Sequence, residues 1–276
     1  MTEFARRNAL AMMAGGATAA ISSGAMAKRT ITKNQFDCWL DLRGGLDGPA
    51  FWYSDGLVRP IADSGKPQCR MLGIETWVTP KELRTPTKAV SFSRKIYFML
   101  DLDKDEIIAD PATGKPMRPS IYIYQVRNFT LADGAIGYEV ESHGLGGITR
   151  GGATSTYTVN EIADQAHVNY GTYPVRPGPD GKMRSTSGEI YDYWDNGPRI
   201  KEMPARYQMS WVGSNLEGRI ASMHGWRYAT FDDVPNQWLK NIIRSKAPEW
   251  VAPPMTMAEI EGLRAKVPYA VPGLGL

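Results

Sequence analysis

Seven residues carry the side chains from which an active site could be assembled: His224, Arg94 and Tyr207 as chemically active groups, and Trp211, Trp226, Tyr228 and Phe98 as walls. His224 lies in "RIASMHGWRY", on one strand parity with Ile220, Ser222, Trp226 and Tyr228. If that parity faces inward, an imidazole sits among aromatic rings, where small shifts bring its pKa close to neutrality. Tyr207, Met209 and Trp211 alternate in the same way along "RYQMSW". Arg94 interrupts the apolar parity of "VSFSRKIYFMLDL", which otherwise holds Val90, Phe92, Ile96, Phe98, Leu100 and Leu102. A cation in such a row either turns to solvent at a bulge or is committed to a partner or ligand. An imidazole, a guanidinium and a phenol beside aromatic walls would suit general acid–base work on a flat, partly polar molecule. An ordinary core place is the alternative for each ring.

Other chemistries find less support. His143 and His167 are far from His224 in the chain, and there is no Cys/His cluster, so no metal site is expected. His143 ends "YEVESH" on the parity of Glu139 and Glu141, which predicts exposure. "DLDKDE" (Asp101, Asp103, Asp105) begins like a calcium loop, but Glu106 replaces the required glycine and Ala112 cannot ligate. A charged hairpin tip is the simpler reading. "GLGGITRGG" lacks the dinucleotide spacing and a following helix, and it reads as a flexible hairpin or lid. No cofactor is implied. Cys38 and Cys69 either pair, closing a loop of about 30 residues, or remain two buried thiols.

The elements that must position these groups are mostly strands. "KNQFDCWLDLR" places Phe36, Trp39 and Leu40 on one helical face before Gly44-Gly45 stops the helix. From there the period is two. "AFWYSDGLVRPIA" reads as two short strands about a Ser-Asp-Gly turn, followed by "QCRMLGIETWVT" and the long strand holding Arg94. "DPATGKPM" is a turn, and "SIYIYQVRNF", "AIGYEVESHG" and "TSTYTV" are further strands. Residues 160–204 read as irregular, with "VRPGPDGKMRS" an exposed loop. Two helices end the chain, "PNQWLKNIIRSK" and "TMAEIEGLRAK", the second with Thr256 and Glu259 in capping-box relation. The expected fold is mainly β: an antiparallel twisted sheet or open β-barrel with one N-terminal and two C-terminal helices.

The chain has 276 residues, and its first 27 have the form of a twin-arginine signal peptide. Arg6 and Arg7 precede an apolar run from Ala9 to Ile21, and Ala25-Met26-Ala27 supplies the small-residue cleavage site. Removal leaves residues 28–276 as a single β-rich domain and lowers the net charge from +3 to +2. A periplasmic location follows, with no membrane span expected in the mature protein. The basic residues are scattered among acids, so no nucleic-acid partner is expected. Eight Trp and thirteen Tyr against seven Phe favour a small aromatic ligand as the partner. The C-terminal segment also offers a surface for a homodimer.

Taken together, "FDCWLDLRGGLDGPAFWYSDGLV", "YFMLDLDKDEIIADPATGKPM", "QVRN" and "RIASMHG" resemble a bacterial domain-of-unknown-function family whose members commonly carry twin-arginine leaders. Asp110 stands where that family usually has Asn, and the histidine usual just before His224 is missing. The chain is also similar to cofactor-free γ-formaldehyde lyases of lignin-derived aromatic catabolism. That likeness implies release of formaldehyde from a phenylcoumaran-type dimer to leave a stilbene. Such chemistry needs a donor at the phenolate, a general base and a dry aromatic slot. Arg94, Tyr207 and His224 are the residues that the resemblance would put in those roles, with Trp211 and Trp226 as walls. The competing reading is a periplasmic carrier that binds a hydrophobic aromatic molecule without chemistry.

Overall fold

The structure, a computed structural model, describes residues 32–46, 48–60, 62, 65–145, 147–154, 156–162, 165–172, 175–177, 183–185, 188–194, 206–212, 219–266 and 269–275. Between 152 and 218 it describes the backbone, and of the side chains only that of Gln208. The leader lies outside the described residues. Among them, no helix is long and apolar enough to cross a membrane.

The chain enters through helix α1 (Lys33–Gly44). Its N-cap Thr32 accepts from the Gln35 backbone N–H while the Gln35 side chain accepts from the Thr32 N–H, a reciprocal capping box. Gly45 ends it at φ +66°, a backbone conformation that glycine adopts without strain. Fourteen strands follow: β1 (Ala50–Pro60), β2 (Cys69–Val78), β3 (Arg84–Thr85), β4 (Lys88–Leu100), β5 (Ser120–Ala132), β6 (Ala135–Gly144), β7 (Gly147–Thr154), β8 (Thr156–Ile162), β9 (Gln165–Thr172), β10 (Val175–Pro177), β11 (Met183–Ser185), β12 (Gly188–Trp194), β13 (Arg206–Val212) and β14 (Arg219–Tyr228). Helices α2 (Gln237–Lys246) and α3 (Met257–Arg264) close the chain, with a 3-10 turn at Pro248–Val251 between them.

Twelve strands form one antiparallel sheet in the order β7-β6-β5-β4-β2-β1-β14-β13-β12-β9-β8, with β3 pairing β4 at the side. Neighbours on the path follow one another in sequence except where β2–β4 passes over β3, where β9–β12 passes over the β10–β11 hairpin, and at the β1–β14 pair. The two sheet edges, β7 and β8, are therefore consecutive strands with one residue between them. One residue spans only about 7 Å between its neighbours' Cα atoms. The sheet must curl until those edges meet at one corner, although no ladder closes it among the described strands. The expected twisted antiparallel sheet with one N-terminal and two C-terminal helices is the observed architecture.

In its first half the sheet is covered on both faces. On the α1 face, Phe36, Trp39 and Leu40 pack with Trp52, Met71, Trp77, Tyr97, Met99, Phe129 and Met223. On the opposite face, α2, the 3-10 turn and α3 bring Leu239, Ile243, Trp250, Ile260 and Leu263 against Phe51, Ile74, Phe92, Ile96, Phe98 and Ile123. A sheet covered on both sides buries both parities of a strand, so the alternation of a half-exposed strand is not to be expected. Lys95, on the polar parity of the sequence, is accordingly only 4% exposed.

Two stretches depart from the sequence reading. The Ser-Asp-Gly of "AFWYSDGLV" is no turn, because β1 runs unbroken through it. Gly56 is there for close approach: a Cβ would lie 2.2 Å from the Ser222 carbonyl oxygen on β14. The described residues within 160–204 hold the end of β8 and the strands from β9 to β12, and "VRPGPDGKMRS" begins with β10 and ends with β11, which pair as a hairpin. Its Gly and Pro content hid those strands. Neither Cys38 nor Cys69 is in a disulfide, and burial pushes the Cys69 thiol pKa up.

Candidate functional site

The residues singled out from sequence fall in two different parts of the sheet. His224 is exposed on β14, directly opposite Asp55 and Gln208, and its ring is 6.4 Å from that of Trp226. Trp226 is half-buried and stacks on Tyr53 at 5.8 Å. Tyr228 is half-buried in the same layer, and Phe98 is fully core, edge-on to Trp238 at 5.5 Å. All four belong to the face covered by α2 and α3.

Arg94 is on that face too. The ladder between β4 and β5 shifts register between Ser93 and Lys95, so the bulge expected at Arg94 is present. It does not release the guanidinium to water. Nε donates to the Ile123 carbonyl at 3.1 Å, and Nη1 donates to the carbonyls of Glu249 and, at 3.4 Å, Ala252. Burial lowers its pKa below the usual arginine value. Arg94 thus ties the C-terminal segment to the sheet. Through the register His224–Asp55–Leu72–Phe98 it stands three strands across and four residues along from His224, about 20 Å away. The two are not brought together.

Tyr207 and Trp211 lie on β13 in register with Gly225 and Ala221, one step out of phase with His224. Their side chains lie outside the described residues, as does that of His167 on β9. Ala221 and Met223 belong to the α1-face core. The phase of Tyr207 and Trp211 is therefore that of the α1 face. Ladders carry this phase onward to Tyr191 and Tyr193 on β12, Tyr170 on β9 and Tyr157 on β8.

The same face holds a buried ionic cluster. Glu75 on β2 is 1% exposed, and its Oε2 accepts from Lys95 Nζ at 3.0 Å and from the Trp77 indole N–H at 2.9 Å. Its Oε1 accepts from the Tyr97 hydroxyl, and Arg43 Nη2 lies 3.7 Å from Oε2. Burial alone would raise the Glu75 pKa, but Lys95 and Arg43, with the Tyr97 and Trp77 donors, hold it down at about 2. Glu75 is a fixed anion, not a proton acceptor near neutral pH. Arg43 and Arg127 each place their guanidinium carbon over the Trp77 ring, at 4.4 and 4.6 Å. Ser93 and Gln125 continue the polar layer towards Ser142. Position 73 on β2 makes room for the cluster: a Cβ there would meet the Tyr97 ring at 2.3 Å, so only glycine fits beneath it.

Sequence reading misses this cluster because it singles out Arg94 and gives no role to Glu75 or to Lys95 on the other parity of the same strand. The available signal was a lone carboxylate in "LGIETWV" matched by a lone lysine in "SRKIYF". His143 is a second departure, since it is fully buried instead of exposed. "DLDKDE" is the hairpin tip expected, with Asp101 Oδ1 accepting from the Asp103 N–H and Asp105 paired to Arg70 at 2.8 Å. No group of three potential metal ligands occurs among the described residues.

No protein-family model matches the chain, and neither a curated protein nor a solved structure shows significant similarity to it.

Proposed function

We propose that the chain is a cofactor-free lyase for a lignin-derived aromatic dimer of phenylcoumaran type, working by acid–base chemistry on the α1 face of the sheet. The observation that carries this reading is the buried Tyr97–Glu75–Lys95 arrangement beside Trp77, in one strand phase with Tyr207 and Trp211. Release of formaldehyde from a phenolic dimer develops negative charge at the phenolate and moves a proton from the γ-hydroxyl. Lys95, paired with Glu75 at 3.0 Å, supplies a positive charge in a dry setting, where it acts far more strongly than in water. Tyr97, its hydroxyl oriented by the same carboxylate, would give its proton to the ether oxygen as the benzylic C–O bond opens and take one back from the γ-hydroxyl as formaldehyde leaves. Trp77 borders that setting, and Tyr207 and Trp211 stand on β13 in backbone register with Gly225 and Ala221. Arg94 and His224 take no chemical role in this scheme.

Incubation of the purified protein with phenolic dimers, followed by mass spectrometry of stilbene and formaldehyde, tests the reading. Tyr97→Phe should lower turnover by about 100-fold or more, the usual range for a proton-transfer group, with the circular dichroism spectrum kept. Binding of a dimer without product in the parent protein would make the chain a carrier. We also propose periplasmic export through Arg6 and Arg7. Replacement of both by lysine should hold the full-length precursor in the cytoplasmic fraction.

A further inference from the structure

We propose that residues 269–275 form an acid-released strap whose sensor is His143: the strap closes over the neutral imidazole, and protonation of that ring frees the strap while the sheet stays folded. His143 lies near the end of β6, fully buried, and neither Nδ1 nor Nε2 has a hydrogen-bond partner. Protonation makes both nitrogens donors and charges the ring, which a closed site without an acceptor disfavours strongly. Two aromatic rings close on it. Tyr124, its partner on β5, lies edge-on at 5.3 Å and is fixed within a strand paired on both sides. Tyr269, at 6.2 Å, belongs to the strap. The strap is held by little else: Val271 is buried, Leu274 is half-buried against the same core, and Gly273 fits against the Lys246 carbonyl at the end of α2. Its described backbone hydrogen bonds, Leu274 N–H to Val271 and Gly275 N–H to Pro272, are internal, so it can leave without breaking a sheet ladder.

Few charges face the imidazole. Glu141, two residues earlier on β6, is already committed: Oε1 accepts from the Tyr124 hydroxyl at 2.8 Å and from Arg264 of α3 at 2.7 Å, and Oε2 accepts from Arg150 of β7 at 2.9 Å. An imidazolium would add a third cation beside that one carboxylate. Arg94 and Glu249 act on Tyr269 with opposite signs. Burial holds the His143 pKa below the usual 6.5, and Glu141 offsets this only in part. Opening hydrates the ring and returns it to its ordinary basicity. Strap opening is therefore flat above pH 6.5 and rises by up to about tenfold per pH unit below it, until the closed state itself takes up the proton.

The strap lies against the core opposite α1, so it is independent of the chemistry proposed for the α1 face. Hydrogen exchange of the full chain at pH 7.5 and 5.5, corrected for intrinsic rates and read by mass spectrometry, compares the strap with α1. Opening of the strap should rise by up to about tenfold at pH 5.5, with α1 unchanged. His143→Leu should remove the rise. Tyr269→Ala should open the strap at both pH values and move the NMR titration of the His143 C2–H up towards 6.5. Equal strap exchange at both pH values would overturn the device, as would a rise that persists in His143→Leu. An equal rise in α1 would also overturn it, because the whole fold would then be opening. Where His143→Leu does not fold, the NMR titration decides: the same midpoint in the parent and in Tyr269→Ala would end the proposal.

Discussion

The indole N–H of Trp250 donates to the backbone carbonyl of Lys95 at 2.9 Å, across 155 residues of sequence. Lys95 therefore has its backbone held by the C-terminal layer on one face while its ammonium pairs with Glu75 on the other. Arg94, at the bulge one residue earlier, fastens the same layer through Glu249 and Ala252. The C-terminal segment thus fixes the strand that carries the buried cluster. Trp250→Phe should remove that hydrogen bond and destabilise the protein by about 1 kcal/mol. Hydrogen exchange should report faster opening of β4 around Lys95. Unchanged exchange there would separate the two layers energetically.

Glu75 is the carboxylate that reconciles three neighbouring donors and two cations. Glu75→Gln should destabilise by about 3–5 kcal/mol in urea unfolding, because it removes the carboxylate that a buried ammonium and guanidinium both face. Lys95→Met in that background should recover part of the loss. Its pH signature follows from a folded pKa of about 2 against an ordinary 4.5. The contribution is complete above pH 4.5 and fades as pH falls towards 2, where both states are protonated. A stability curve whose acid limb is the same in Glu75→Gln as in the parent would contradict this.

Gly73 leaves room for Tyr97 on the neighbouring strand, with which it pairs directly. Gly73→Ala should push the ring off Glu75 and impair turnover as severely as Tyr97→Phe does. Gly137→Ala is the control, since nothing lies within 4 Å of its added methyl.

His143 is fully buried with both ring nitrogens unpaired, between the rings of Tyr124 at 5.3 Å and Tyr269 at 6.2 Å. Burial holds its pKa below the usual 6.5, with Glu141 opposing more weakly. The unfolded chain then takes up the proton first. Stability is full above pH 6.5 and declines as pH drops below it. In His143→Leu the loss between pH 6.5 and 5 should shrink, as thermal melts across that range would show.

His224 is exposed, so His224→Ala should alter stability by less than about 0.5 kcal/mol. Turnover of an aromatic dimer should persist in this variant. A complete loss of activity would move the site to the α2–α3 face.

Sequence alone was enough for the helices and for several strands, though not for the unbroken run of β1 or for β9 to β12. Phe36, Trp39 and Leu40 recur at helical spacing and do line the buried face of α1, and Thr256 does cap α3. Alternation identified β4, β5, β6 and β14 because each has an apolar parity, whatever covers it. Period-two patterning is blind to which face will be closed by distant chain. Only the tertiary structure decided that, when α1 covered one side and the segment after Val234 covered the other. The α1 layer turned Lys95 and Glu75 from surface charges into a buried pair, and the second layer committed Arg94 to backbone carbonyls. Pairing of β13 with β14 set Tyr207 opposite Gly225, one residue out of register with His224, while the β1–β14 ladder decided which core that strand joins.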